Sequence, residues 1–408
     1  MSSLATMDRV PSTTLVRNRV LLVIVLASLL AVTGLAIVSV APNRLMSGTG
    51  VPLYALTGAG RLALWLPAVA LLLAAFAPPA HWVHVGVVIA AALLLGGLLW
   101  MAGSAAAQWS TTPGSLVRIS LGGGFWMLAL LAWLAAADAV QRLGLSPTWR
   151  TLALGCVLLP ALLLLASGEL EALSLLKEYE NRRDVFDAAG QQHVQIVLVA
   201  LLPALAIGLP LGVAAAHSKA LAGPLFAALN VVQTVPSMAL FALLMAPLGA
   251  LAVALPGWGL QGIGLVPAAI ALTLYALLPI VHGTASGLAQ VPASAVEAAT
   301  GMGMTRCQVF WRVRVPLALP VLLSGVRVTT VQLIGLAVVA ALIGAGGYGA
   351  LVFQGLLSSA LDLVLLGVLP VGALAVLVDA GFKLLGAVLP GAALVDARVP
   401  DVRPGPGR

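Results

Sequence analysis

The chain has 408 residues, of which 8% are charged and 61% apolar, with a mean hydropathy of +1.11. Ordinary soluble proteins carry charge at about 25% of positions, so this chain cannot clothe a water-facing surface. A disordered chain, a disulfide scaffold and a nucleic-acid binder are excluded on the same grounds, and the net charge of +7, from 20 Lys and Arg, reads as a topology signal in a lipid-embedded protein.

The first apolar stretch, Val20–Ala41, follows Arg9, Arg17 and Arg19. A signal-peptide core runs about 7–15 residues. This stretch is longer and matches a spanning helix, so it reads as a retained first span. Further spans are predicted at 62–77, 82–102, 116–137 and 150–168. After a polar break come 193–216, 224–254, 264–288, 318–343 and 360–389, ten spans in all. The stretch 224–254 is too long for one straight helix and contains Pro236 and Pro247, which predicts a broken helix. No internal repeat relates the two halves.

The polar break gathers Glu169, Glu171, Lys177, Glu178, Glu180, Arg182, Arg183, Asp184 and Asp187. It reads as a solvated connector. The domain reading is an N-terminal transmembrane region of about five helices (1–168), a charged external connector (169–190), a second membrane domain (191–389) and a cytoplasmic tail (390–408). An even number of spans puts both termini on one side. Placing that side in the cytoplasm gives the inner segments 13 Lys and Arg and the outer segments six. This satisfies the positive-inside rule. Trp65, Trp82, Trp100 and Trp149 fall at span ends, where an interfacial aromatic belt would put them.

Cys156 and Cys307 have no metal-site spacing and read as unpaired thiols. The chain has no GxxxxGK[ST] loop for ATP phosphates, no HExxH zinc motif and no clustered His. No cofactor, metal or catalytic residue is expected on it. Gly344, Gly346, Gly347 and Gly349 fit G-x-G-x-x-G, but no strand precedes them and no acidic residue follows at the required distance. They read as a tight outer turn between spans.

One long inner loop remains, at about 290–318. Pro292 suits the first turn of a helix. Gly301 and Gly303 interrupt that helix, and a second helical stretch runs to Pro316. The prediction is two short helices at an angle, lying at the membrane surface. On these residues alone an ordinary interfacial amphipathic loop fits as well.

The spacing in this loop resembles a family. Glu297-Ala298-Ala299, three residues, Gly303, nine residues, Val313, one residue, Val315 and Pro316 resemble the EAA signature of ATP-binding-cassette (ABC) importer permeases, with Val in place of Ile and Leu. Asn230 to Ser237 (NVVQTVPS) resembles a stretch of the glycine betaine/carnitine/choline branch, as does Ile343 to Gly349 (IGAGGYG), with Tyr in place of Leu. Methionine and other permeases share parts of both. The resemblance covers about 191–389, and the leading spans look like the extended N-terminus of some osmoprotectant permeases. It implies an all-α polytopic membrane protein whose C-terminal five spans form a type I ABC permease core, in the bacterial cytoplasmic (inner) membrane.

The resemblance also implies partners. Glu297, Ala298, Ala299, Gly303, Val313, Val315 and Pro316 would form the loop that docks into a separate ATP-binding subunit, which binds ATP and Mg. A second permease subunit, a copy or a paralogue, would complete the pathway. An external substrate-binding protein would deliver the solute, an osmoprotectant such as glycine betaine or another small solute such as an amino acid. A transporter driven by an ion gradient is the reading from a different class.

Two sets of intramembrane residues complete the expectations. Gln233, Thr234 and Ser237 surround the break at Pro236; they either contact substrate or satisfy the freed backbone. Arg327, mid-span, costs about 2.5–3.5 kcal/mol on insertion scales and needs protein or water around it. Asp362 and Asp379 are its candidate partners, with Asp379 the deeper in its span. Quaternary ammonium groups are commonly held by aromatic cages. Tyr275, Tyr348, Trp258 and Trp311 are far apart in sequence, so no aromatic cluster is expected in this core.

Overall fold

The computed structural model describes residues 16–43, 46, 48–56, 60–110, 116–258 and 261–388, excluding the side chains of 60–63 and 387–388. The expected tail at 390–408 lies outside them, as do Arg9 and Arg44 of the charge count. The chain divides into two units, Met1–Lys177 and Glu178–Arg408. The division falls inside the predicted connector.

The first unit contains α1 (Arg19–Gly34), β1 (Val38–Ala41), β2 (Thr49–Val51), α2 (Gly60–Phe76), α3 (His81–Trp109), β3 (Arg118–Leu121), α4 (Gly123–Arg142), α5 (Pro147–Val157) and α6 (Leu159–Ala166). Its core is small-residue packing: Ala90, Ala91 and Ala102 of α3 and Ala132, Ala135 and Ala136 of α4 are all buried. One end of the bundle is pinned by side chains. The Asn18 carboxamide oxygen caps α1 at Leu21 N–H (3.0 Å), and its amide donates to Asp138 (3.1 Å). Arg142 donates to the same carboxylate at 2.8 Å from the last turn of α4, where a cation also meets the helix dipole.

The first predicted span needs correction. The hydropathy carries it to Ala41, but α1 ends at Gly34 and Leu35 is already extended. Val38-Ser39-Val40 alternates β-branched and polar residues, a pattern that fits a pleated strand. β1 is the centre of a three-stranded antiparallel sheet of order β2-β1-β3, pairing Val38 with Val51 on one side and with Leu121 on the other.

At the division, α7 (Ser174–Asn181) makes the connector helical. Glu178, expected in solvent, is 2% exposed. Arg182, one turn on, answers its charge at 3.6 Å and also donates to Gln354 at 3.1 Å.

The second unit contains α8 (Arg183–His217), α9 (Lys219–Thr234), α10 (Ser237–Ala254), α11 (Leu265–Ala289), α12 (Ala293–Gly301), α13 (Arg306–Val309), a π-helical turn (Phe310–Arg314), α14 (Val315–Ala340), α15 (Tyr348–Leu357) and α16 (Leu361–Val388). Seven helices among the described residues are long and apolar enough to cross a membrane, and α5 with α6, bent by 44°, makes an eighth as one broken span. The predicted spans 20–41 and 62–77 fall on α1 and α2, which are shorter apolar helices, and 116–137 begins in β3 before α4; the other seven fall on a helix or on a broken pair of helices.

α11 is the centre of this unit, packed between α8 and α14. Lipid supplies no hydrophobic drive between helices, so close approach of small residues has to hold them. Gly208 and Gly212 of α8 face Ile280 and Thr284 of α11; a Cβ on Gly212 would lie 2.5 Å from the Thr284 side chain. On the other side Gly283 meets Gly325 of α14, and a Cβ on either would lie 3.1–3.2 Å from the other's Cα. Buried Thr284, Thr329 and Thr330 turn their hydroxyls onto carbonyls four residues back in their own helices.

The second helical stretch of the loop also departs from expectation. It does not stop at Pro316: residues 306–343 form one continuous span. Pro316 cannot donate to the carbonyl four residues back, and its ring crowds that carbonyl. The wider π-helical turn at 310–314 lies just where this strain falls.

α9 and α10 are two pieces of the one long predicted stretch, separated at Val235–Pro236. The broken backbone is repaired from α11. Tyr275 donates its hydroxyl to the Val235 carbonyl. In return the Gln233 amide donates to the Tyr275 carbonyl at 2.9 Å. That carbonyl is the one Pro279, four residues on, leaves without its helix bond. Gln233→Leu is therefore expected to destabilise the protein by about 1–3 kcal/mol, the cost of a buried acceptor without a donor. Adding Pro279→Ala should recover most of this, because an alanine at that position supplies the missing N–H. Denaturation midpoints in mixed micelles measure both; a Gln233→Leu protein as stable as the parent would contradict the assignment.

Candidate functional site

Three helices of the second unit turn polar residues to one side at helical spacing. On α9 these are Asn230 and Gln233, with Phe226 one turn earlier; on α11, His282 and Ser286, with Gln290 capping its end; on α14, Ser324 and Gln332. Together with Ala215 and Ala216 of α8 they line a cavity of about 1170 Å³, open on one side. Its floor is the close α11–α14 crossing at Gly283 and Gly325. The His282 ring packs against Phe226 with centroids 5.9 Å apart, and its Nδ1 lies 3.4 Å from the Ser286 hydroxyl. No Asp, Glu, Lys or Arg is among the lining residues. Such a lining admits water and polar solutes and places no fixed carboxylate, ammonium or guanidinium on their path.

Of the four pathway candidates named from sequence, Gln233 lines this cavity. Thr234 donates to the Val231 carbonyl at 2.7 Å, Pro236 caps α10 and Ser237 begins it. The structure places these three at the break, not in the lining. His282, Ser286, Gln290, Ser324 and Gln332 were missed. Their signal was present as polar residues four apart at 282, 286 and 290, and eight apart at 324 and 332.

The loop at 290–318 is built by local rules. α12 ends in a reciprocal pair of hydrogen bonds, Gly303 N–H to Thr300 O (2.9 Å) and Met304 N–H to Ala299 O (3.2 Å). This is the Schellman arrangement, which requires a left-handed residue at the position of Gly303; its φ is +83°. Gly301, expected to interrupt the helix, is its last residue. Thr305 then starts α13 with a reciprocal capping box to Gln308. Glu297 and Ala298 are exposed, whereas Ala299 is buried. Val313 and Val315 are half-buried and Pro316 is exposed in the first turn of α14. Beneath the loop lies a cavity of about 290 Å³ lined by His217, Thr300, Met304, Arg306, Phe310 and Arg314 among others. There Arg314 reaches His217, the last residue of α8, at 3.5 Å.

The glycine turn is tied to α8 and α11. Gly344, Gly346 and Gly347 have φ between +74° and +82°, and Gly349 has no room for a side chain, its Cβ position lying 2.1 Å from the Val338 carbonyl. Gln192 accepts from Gly347 N–H at 3.1 Å, and Gly264 N–H donates to Ile343 O at 2.7 Å. Buried His193 bonds the Ile334 carbonyl at 3.1 Å. Among the described residues no ring contact joins Tyr275, Tyr348, Trp258 and Trp311 to one another, but Tyr348 joins rings that the sequence placed in the connector and at the start of the core. Tyr348 stacks on Phe186 (5.1 Å) and His193 (5.5 Å), and Phe186 meets Tyr179 (5.1 Å). The turn folds Tyr348 back across 155 or more residues, which sequence distance hides. Tyr275, by contrast, is buried in the α11 packing, and Trp311 is exposed.

Arg327 of α14 lies 3.6 Å from Asp379 of α16, and Lys383, one turn on, binds the other carboxylate oxygen at 2.5 Å. All three are about a third to a half exposed. The group carries one net positive charge, and Asp379 is its hub. The double-mutant cycle Arg327→Leu and Asp379→Leu is expected to give a coupling of about 1 kcal/mol, read from thermal stability in detergent. Additive effects would mean that the pair is a contact without consequence.

Residues 208–387 match the family described as the binding-protein-dependent transport system inner membrane component, and residues 17–176 match the N-terminal domain of the ABC transporter permease YehY. The osmoprotectant import permease protein OsmW of Salmonella typhimurium is 41% identical over 188 residues, covering 46% of this chain and 84% of that protein. The glycine betaine/carnitine/choline transport system permease protein OpuCB of Bacillus subtilis is 36% identical, covering 46% and 81%. Among solved structures, an inward-facing MetNI methionine ABC transporter is similar over 52% of this chain and 99% of that one, at 21% identity and a TM-score of 0.47. On the extent of its relatives' sequence that it spans, the chain belongs to the inner-membrane components of binding-protein-dependent transport systems: it is a multi-pass permease subunit of an ABC importer, not an enzyme, and works with a separate ATP-binding subunit and a substrate-binding protein.

Proposed function

We propose that this permease imports small osmoprotectants of the glycine betaine, carnitine or choline type, and that the α9–α11–α14 cavity is its half of the pathway. The observation that carries the reading is the cavity itself: a large, mostly apolar lining in which seven polar, uncharged side chains (Asn230, Gln233, His282, Ser286, Gln290, Ser324 and Gln332) share one space. Polar side chains in membrane helices are costly to keep and mark solute routes. The relatives' named solutes are small and highly polar, which suits such a lining.

The α12–α13 elbow is the proposed contact with the ATP-binding subunit, which binds ATP and Mg. Glu297 and Ala298 face outward there, while Ala299 and Val309 hold the elbow to the protein. The cavity open on one side calls for a second permease subunit, a copy or a paralogue, to close it. Both termini face the cytoplasm in this arrangement. Residues 169–190 lie outside, and the elbow with Arg306, Arg312 and Arg314 lies inside, as the positive-inside rule requires. The N-terminal helices precede the 191–389 permease domain along the chain.

Two measurements test the proposal. In proteoliposomes, glycine betaine uptake should require ATP, the ATP-binding subunit and the binding protein together. Uptake by this chain alone on a sodium or proton gradient would contradict it and favour the ion-gradient class. Glu297→Arg should insert normally and lower uptake about tenfold or more, the effect of about 1.4 kcal/mol at a docking contact. Unchanged uptake would place the docking surface elsewhere.

A further inference from the structure

The lining of the cavity has a charge pattern that bears on which solute it passes. Among the described residues around it, hydrogen-bonding capacity comes from amides, hydroxyls and one imidazole, with no carboxylate. A cation in a low-dielectric passage needs a counter-charge, because an unpaired charge removed from water is costly. A zwitterion carries its own. Its carboxylate needs only neutral N–H and O–H donors, and its ammonium end an apolar or aromatic wall.

The side chains that meet these two needs stand together. Phe226 and Asn230 are one turn apart on the same face of α9, a separation of about 5–6 Å between side-chain bases. The His282 ring lies 5.9 Å from that of Phe226. The Ser286 hydroxyl lies 3.4 Å from His282 Nδ1; in the tautomer in which that nitrogen accepts, the ring's N–H is on Nε2 and free to donate. Gln233 has one amide hydrogen committed to Tyr275, which holds its side chain in place at the same wall.

We infer that the pathway selects net-neutral zwitterions bearing an ammonium and a carboxylate over cations such as choline, with the ammonium against Phe226 and the carboxylate held by Asn230 and His282. This rests on the cavity being the pathway and adds the charge class of its solute. The selection belongs to the permease itself, independently of what the binding protein delivers.

The test is therefore made without the binding protein. Purified permease–ATP-binding complex in nanodiscs is titrated with glycine betaine and with choline, and binding is followed by saturation-transfer NMR. Glycine betaine should bind about tenfold more tightly than choline, a difference of about 1.4 kcal/mol. Asn230→Asp, nearly isosteric, should reverse that order by giving choline a counter-charge and repelling the carboxylate. His282→Ala should weaken glycine betaine and leave choline unchanged. Equal affinity in the parent protein, or an order that Asn230→Asp does not alter, overturns the charge selection while leaving the pathway intact. Binding of neither solute overturns the osmoprotectant reading beneath it.

Discussion

Lipid offers no hydrogen-bond partner, and most features of the second unit answer that one constraint. Each backbone carbonyl in a span must find a donor within the protein. Seven of the described helices in the two units contain an interior proline, so the demand recurs along the chain. The most informative answer is at Tyr275. Pro279 removes the donor to its carbonyl, and Gln233 from a neighbouring helix replaces it. The Tyr275 hydroxyl meanwhile closes the gap at Val235. Two defects in two helices thus repair one another and fix how α9 lies on α11.

That repair also positions the cavity. Gln233 is both a clamp and a lining residue, so the face of α9 carrying Phe226 and Asn230 is held opposite His282. On the far side the glycine contact of α11 with α14 brings Ser324 and Gln332 to the same space. The α12–α13 elbow joins this assembly without a hinge of irregular chain. Its second helix continues through a π-helical turn directly into α14. A displacement at the elbow has a rigid route to the cavity wall, which is how the proposed docking contact would link ATP hydrolysis to the proposed pathway.

Much of this was legible in the sequence, for identifiable reasons. Hydropathy locates spans because lipid demands long apolar runs, and every predicted stretch contains a helix, although 20–41 ends in β1 and 116–137 begins in β3. Gly303 announced the elbow because only glycine takes its left-handed conformation cheaply. The extended segment at Val38–Ala41 was hidden because β-branched residues are as apolar as the helix they follow. Glu178 reads as surface until its partner Arg182 and its buried setting are seen. The polar stripe was present at four-residue spacing on α11 and eight-residue spacing on α14, but single polar residues in apolar runs have no direction until the helix faces are known. Arg327 and Asp379, named as candidate partners from the cost of a mid-span charge, are 52 residues apart and are brought together by the packing of α14 against α16.

The central claim is that one face of α9, α11 and α14 borders water within the membrane. It is tested most directly by cysteine labelling of the assembled transporter in membranes, with Cys156 and Cys307 replaced by Ser. Cysteines placed at Asn230, Ser286, Ser324 and Gln332 should react with a charged, water-soluble methanethiosulfonate, whereas cysteines at Leu369 and Leu377 on α16 should not. Labelling at the α16 positions with none at the four cavity positions would contradict the account.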